Sequence, residues 1–261
     1  MALTSLILLQ GCQDDDDPVL VIPPGDQVAS GLYKDGTASL DGGATTASDF
    51  IGFVHDNRLM AFSVTSQILI DGTLSIPTGN DFTGSVDVYA NGQIFQADVS
   101  ATGLVTTGSS LSVDLAGTGI ASGNITLSFD SLYNRGASFS TIESSLTDIT
   151  LPPWVGSHYG FESHDSFTLS IDNTGVVYGE NITASPFACT YIGDVTIPDN
   201  QVNIYMITTR VLEEEPATCT GADDAFTGFS SIVDGVNGTD TVMVHAITNG
   251  FFASFFAILE R

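Results

Sequence analysis

From Ala29 onward the chain breaks into short apolar or alternating runs, separated about every eight to twelve positions by Gly, Asn, Asp or Pro. Alternation at period two puts successive side chains on opposite faces of an extended strand, and frequent turn residues fold such strands back on one another. The clearest strands predicted are Phe50 to Val54, Leu59 to Val64, Ser85 to Tyr89, Leu111 to Leu115 and Ile125 to Phe129. In the second half they are Phe167 to Ile171, Val176 to Tyr178, Val202 to Thr208, Thr241 to Ala246 and Phe251 to Leu259. Turns are expected at His55-Asp56-Asn57-Arg58, Asp172-Asn173-Thr174-Gly175 and Asn249-Gly250, where Asn and Gly tolerate positive φ. No amphipathic helix of three turns stands out. The fold class that follows is all-β, built from antiparallel meanders.

The rhythm fails once, between Tyr133 and Pro153. YNRGASFSTIESSLTDITLPP loses period two and ends in two prolines, and Trp154, the one tryptophan, follows directly. Proline cannot donate to a strand ladder, so this stretch reads as a seam. Two antiparallel barrel or sandwich modules are therefore expected, residues 29–135 and 154–261, joined by a linker at 136–153, with Trp154 opening the second module and filling its core. Each half holds roughly eight short strands, the number that closes a small barrel and leaves no sticky edge. A weak internal repeat supports the division: FTGSVDVYANGQIF (82–95) lies over YIGDVTIPDNQVNIY (191–205), and the Asp56-Asn57 turn matches Asp172-Asn173 in order. GTLSIP (72–77) fits GDVTIP (193–198) almost as well at another offset. The order and Gly-rich hairpins look like small calycin-type barrels or the barrel lobes of bacterial surface lipoproteins, a likeness of fold alone.

Charge removes one class of partner. Five Lys and Arg stand against 31 Asp and Glu, a formal net charge of -26, whereas nucleic acid needs a basic footprint. No nucleic-acid partner is expected. The acidity itself has two readings: a solvating surface, the commoner fate of charge runs, or carboxylate loops that collect divalent cations.

The amino terminus bears on location. Leu3 to Leu9 is apolar but far short of the about 20 residues of a membrane-spanning helix, and it fits the core of a signal peptide. It runs into Leu9-Gln10-Gly11-Cys12, which resembles the lipobox of bacterial lipoproteins: an aliphatic residue three before a cysteine and a small residue just before it. The resemblance implies that residues 1–11 are a signal peptide, that Cys12 carries a diacylglyceryl group and a further acyl chain on its amino group, and that the membrane is a partner through this anchor. Among enterobacterial lipoproteins an Asp after the acylated cysteine favours the inner membrane; Gln13 stands here, which by analogy points to the outer membrane. Residues 12–28, with Asp14 to Asp17, Pro18 and Pro23-Pro24, then read as an extended acidic tether.

In an oxidising envelope Cys189 and Cys219, the cysteines left besides Cys12, are expected to pair, stabilising the fold by about 3 to 4 kcal/mol on a chain-entropy estimate. Neither has zinc-site spacing to another ligand.

Candidate chemistry is sparse. His158, Glu162 and His164 share parity in SHYGFESHD, beside Asp165. On an unbroken strand i and i+4 lie about 13 Å apart, so only a turn between Gly160 and Asp165 would gather them into a metal site, and otherwise the stretch is a polar hairpin tip. His55 is expected to be exposed in its turn, and His245 in TVMVHAI to be a strand residue. DGVNGTD, with Asp234 and Asp240, and GADD (221–224) could offer oxygen ligands to calcium, but the fixed spacing and closing Glu of an EF-hand are lacking. Asp223-Asp224 and Glu213-Glu214-Glu215 sit in loops beside Gly or Pro, where nothing splits their pKa values as catalysis requires. No G-x-S-x-G, H-E-x-x-H or Walker pattern occurs. The sequons at Asn124, Asn181 and Asn237 carry no weight beside a bacterial lipobox. The expectation is a non-enzymatic, lipid-anchored envelope β-protein without a cofactor, offering a surface to an envelope protein or small molecule. The alternative is an envelope hydrolase or calcium-dependent binder whose residues converge only in three dimensions.

Overall fold

The computed structural model describes residues 30–40, 45–76, 80–106, 109–116, 124–130, 146–150, 153–160, 164–181, 189–198, 202–212, 224–234, 240–251 and 253–260. Eight strands form the first half: β1 (Gly31–Leu40), β2 (Thr45–His55), β3 (Arg58–Ser63), β4 (Ile68–Ser75), β5 (Asp81–Ala90), β6 (Gln93–Thr106), β7 (Ser110–Ala116) and β8 (Ile125–Phe129). A single helical turn, α1 (Leu146–Ile149), precedes β9 (Trp154–Gly160), β10 (His164–Ile171), β11 (Val176–Asn181), β12 (Thr190–Thr196), β13 (Tyr205–Leu212), β14 (Ala225–Asp234), β15 (Asp240–Thr248) and β16 (Ser254–Glu260). Each set of eight closes on itself as an antiparallel meander barrel, β1 pairing with β8 and β9 with β16. The all-β, two-module class read from periodicity is the observed one.

Hairpin chemistry explains the tight turns. Asp56 and Asn57 both have positive φ, 48° and 62°, and Asn91-Gly92 repeats this at 50° and 75°, the backbone of a type I′ turn, whose twist matches that of the strands it joins. At the β10–β11 turn Asp172 Oδ1 accepts from the Thr174 hydroxyl and from the amides of Thr174 and Val176 at 2.7 to 2.9 Å. Those bonds, the Thr174 hydroxyl first, hold the Asp172 carboxyl below its usual range.

Two strand limits differ from expectation. Val202 and Asn203 precede β13, and Phe251 lies in the turn before β16, because Asn249 Oδ1 accepts from the amides of Phe251 and Ala253 and ties those groups into a loop.

The repeat is also corrected. The turns at Asp56-Asn57 and Asp172-Asn173 do join the second and third strands of their barrels. Residues 82–95, however, span the fifth and sixth strands, while 191–205 run from the fourth into the fifth. The topologically equivalent pair is GTLSIP with GDVTIP, both in fourth strands. It superposes Gly72 on Gly193, and a Cβ at either would run into a neighbouring carbonyl oxygen, of Ser85 or Thr208. Neighbouring strands of one meander share the same alternation, so a shift by a whole strand costs a sequence match little.

The interiors differ in chemistry. The first barrel is filled by residues such as Phe50, Leu59, Ile70, Val86, Val113 and Phe129, together with Tyr33, whose phenol is pushed up to about 12 by burial. The second encloses Trp154, Phe167, Tyr191, Tyr205, Phe226 and Phe255, and Ile149 of α1 joins this core. Trp154 Nε1 donates to the Ile149 carbonyl at 2.9 Å, so the last turn before the barrel serves as its plug.

A third apolar cluster lies between the outer walls. Leu32, Ile51, Phe53, Met60, Phe62, Leu69 and Tyr89 of the first barrel meet Ile204, Phe229, Val233, Val244, Ala246 and Phe256 of the second. Phe62 stacks on Phe256 at 5.0 Å and Phe53 tilts against Phe229 at 6.0 Å. Arg58 makes a fork to Asp71, Nε and Nη2 donating at 2.7 and 3.0 Å. Its remaining donors reach the Thr227 hydroxyl and carbonyl, both at 3.2 Å, and its guanidinium lies 5.6 Å from the Phe229 ring centre. A backbone bridge between Gln93 and Ala253, with the Ser254 amide donating to Gly92 at 2.8 Å, completes the contact.

Candidate functional site

Closed barrels of this size have little spare interior, so a polar side chain pointing inward is the feature to explain. Ser63 is the one buried Ser, Thr, Asn or His of the first barrel among the described residues; every other one belongs to the second. His158, Asn181, Thr209, Ser230 and His245 share the inward parity of the second core, since Ile207 and Val211 flank Thr209, Ile232 follows Ser230, and Met243 and Ile247 flank His245. The register lines several of them up. Tyr205 faces Ser230, Ser230 faces His245, His245 faces Ala257, and Ala257 faces His158, one row across β13, β14, β15, β16 and β9.

Ser230 Oγ and His245 Nδ1 are hydrogen-bonded at 2.9 Å, with both residues buried. Burial pushes the His245 imidazole down from 6.5 to about 4, so the ring is neutral at pH 7, and its tautomer sets whether Nδ1 accepts from or donates to the Ser230 hydroxyl. His158 lies two strands away, its ring between those of Phe167 and Phe255, each at 4.8 Å and 21°, with Tyr191 edge-on at 5.7 Å. A hydroxyl beside an imidazole is the beginning of a nucleophile and base. This imidazole, though, is a weak base at neutral pH, and both groups are sealed off from solvent. The row is suited to fixing the register of five strands rather than to turnover.

The sequence-derived candidates fall as follows. His158 is neither a polar hairpin tip nor on an unbroken strand with His164: β9 ends at Gly160, β10 begins at His164, and the two histidines are backbone partners across that hairpin. The turn that could gather them therefore exists, but the His158 ring is committed to the aromatic stack. Glu162 and the side chains of His164 and Asp165 lie outside the described residues. Asp234 and Asp240 are backbone partners closing the β14–β15 hairpin, and their side chains also lie outside the description. No group of three His, Cys, Asp or Glu side chains that could hold a metal occurs among the described residues. Asp224 accepts from Asn249 Nδ2 at 3.3 Å and steadies the β15–β16 turn; Asp223 and Glu213 to Glu215 are not described.

His55 is not exposed as expected. It is half-buried and edge-on to Phe229 at 6.4 Å, because its turn is pressed against the second barrel. His245 is a strand residue of β15, as read. Cys189 is buried and disulfide-bonded, while Cys12 and Cys219 lie outside the described residues. The Ser230 and His245 pairing went unread, though a signal was present: each is a polar residue on the apolar parity of its strand.

No protein-family model, curated protein or solved structure matches this chain.

Proposed function

We propose that the protein is a lipid-anchored component of the bacterial cell envelope whose double barrel serves as a binding or structural surface for an envelope protein or a small molecule. The observation that carries this reading is Leu9-Gln10-Gly11-Cys12 behind an apolar run and ahead of Asp14 to Asp17. A dual-acylated cysteine suffices for stable anchoring, and an acidic, proline-containing stretch suits a spacer between bilayer and folded body. The fold is compatible with such a role: closure removes the unpaired strand edges that invite aggregation on a crowded surface. The Ser230 and His245 pair gives the hydrolase reading little support, being buried and, at neutral pH, weakly basic.

The test is Cys12→Ser. Wild type should incorporate labelled fatty acid and sediment with membranes, whereas the variant should do neither. Identical partition of the two, with no label in either, would overturn the anchor.

A further inference from the structure

The outer walls that face away from the inter-barrel contact are unlike each other. On the first barrel, apart from Phe95 and Leu104, β5 to β8 present residues such as Thr83, Ser85, Ser100, Thr102, Asp114 and Thr126. On the second, β11 to β13 present Val176, Tyr178, Ile192 and Met206, each 40 to 49% exposed. The first three are neighbours in the sheet, and Met206 stands further along the same face. Tyr178 is the backbone partner of Ile192, Val176 lies two residues before Tyr178 on the same face, and Met206 faces Thr196, four pairs along from Ile192, with the exposed Asp194, the partner of Val176, between them. Arg210, the partner of Ile192, closes the row; it is exposed and has no ion pair among the described residues.

We propose that Val19-Leu20-Val21-Ile22 docks on this wall, forming a strap between the amino-terminal anchor and the second barrel. Three observations select this occupant, which lies outside the described residues. Its composition fits: four consecutive aliphatic residues suit an apolar wall, and they follow Asp14 to Asp17, the densest anionic run in a chain with only five Lys and Arg, of which Arg210 stands at the wall's margin. The chain also starts in the right place. Leu32 of β1 is buried in the same cluster as Phe229, and Phe229 is the backbone partner of Met206, so β1 begins beside the wall's edge. Finally, the reach suffices. Eight residues from Ile22 to Ser30 extend to about 26 Å, while β11 lies two strand spacings, about 10 Å, beyond β13.

Docking changes how the anchor, taken from the reading above, holds the barrels. Cys12 to Ser30 could span up to about 60 Å, whereas Cys12 to Val19 spans at most about 24 Å. A docked strap thus brings the second barrel close to the bilayer and presents one side of it.

The experiment places p-benzoylphenylalanine at position 178 in the full-length membrane-extracted protein, irradiates it, and maps products by mass spectrometry after Asp-N digestion, which cuts before Asp17, Asp26, Asp172 and Asp194. The expected product is an intramolecular crosslink to residues 18–24. Adding Leu20→Asp with Ile22→Asp should cut its yield about tenfold or more, since two buried aliphatic contacts are lost. Crosslinks only to a second copy, to lipid or to another protein, or none at all, would overturn the strap. The same digest reads the mass of Cys12: an unacylated cysteine with the crosslink intact overturns the anchor alone, and an acylated cysteine without it overturns the strap alone.

Discussion

His245 makes the second barrel acid-sensitive in a window of its own. In the unfolded chain its ring takes a proton near pH 6.5; in the barrel, facing Ser230 and Ala257 on the neighbouring strands and in one row with Tyr205 and His158, it resists protonation down to about 4. Between those values the unfolded state binds a proton that the folded state does not, so stability is full above pH 6.5, falls as pH drops through the window, and levels off below 4. At 1.36 kcal/mol per pH unit the loss is about 3 kcal/mol. The carboxylates act elsewhere: Asp49, held below its usual range by bonds from Ser63 and Thr65 despite partial burial, destabilises the fold only as pH falls past the ordinary carboxylate range. Relief of repulsion among 31 acidic groups works in the opposite direction. Comparison with His245→Asn isolates the ring, because Asn keeps a polar group near the Nδ1 position and cannot titrate. Denaturant unfolding at pH 7.0, 5.5 and 4.0 should show the variant less stable at pH 7.0, with the gap closing by about 3 kcal/mol toward pH 4.0. A gap that stays constant over that range would refute the reasoning.

Phe256→Ala, which empties the stack on Phe62 at the inter-barrel contact, should destabilise the protein by about 3 to 5 kcal/mol in denaturant unfolding. Arg58→Ala should cost less, about 1 to 3 kcal/mol, because Asp71, whose side chain is only 13% exposed, loses its fork while keeping some access to water. Residues 146–261, which keep the Ile149 plug, expressed alone under oxidising conditions should retain β-type circular dichroism, since their strands close without the first barrel, yet self-associate by light scattering through the bared Phe229, Val233, Val244 and Phe256. A monomeric half would show that this wall does not need covering, and an unfolded half that barrel closure depends on the first module.

Much of the architecture was legible because period two survives where strands are regular, as in Leu111 to Leu115 and Ile125 to Phe129. It is blurred where a bulge inserts a residue. In β1 the register slips around Asp35, which has φ 54°, and in β6 it slips near Phe95 and again at Asp98, with φ 55°, so neither strand keeps one parity throughout. The inter-barrel contact left a different trace. Phe50 to Val54, Leu59 to Phe62, Met243 to Ile247 and Phe255 to Leu259 are almost continuously apolar, the pattern of strands covered on both faces, and these strands form the shared walls. Reading them only as core strands hid half of their meaning. The polar row was harder to foresee, since it depends on a lateral register across five strands that no single strand encodes.

Where this protein meets other molecules follows from how its interiors are used. A ligand-holding barrel of eight strands must leave its axis open, whereas here Trp154, Tyr205, Phe226 and Phe255 converge in the second barrel, Ile149 closes on them, and the first is filled by Phe50, Phe129 and their aliphatic neighbours. Within the polar row, Ser230 and His245 spend a hydrogen bond on each other. Opening either axis would also strain the contact between barrels, because strands such as β2, β3, β15 and β16 line an interior with one face and that contact with the other. Close packing on both faces resists local deformation. The binding surface proposed above is thereby directed to the outside: to the outer wall of the first barrel, which offers hydroxyls, and to the loops at the barrel ends, whose tethering by Asn249 and Asp172 shows how turn side chains can present a fixed surface.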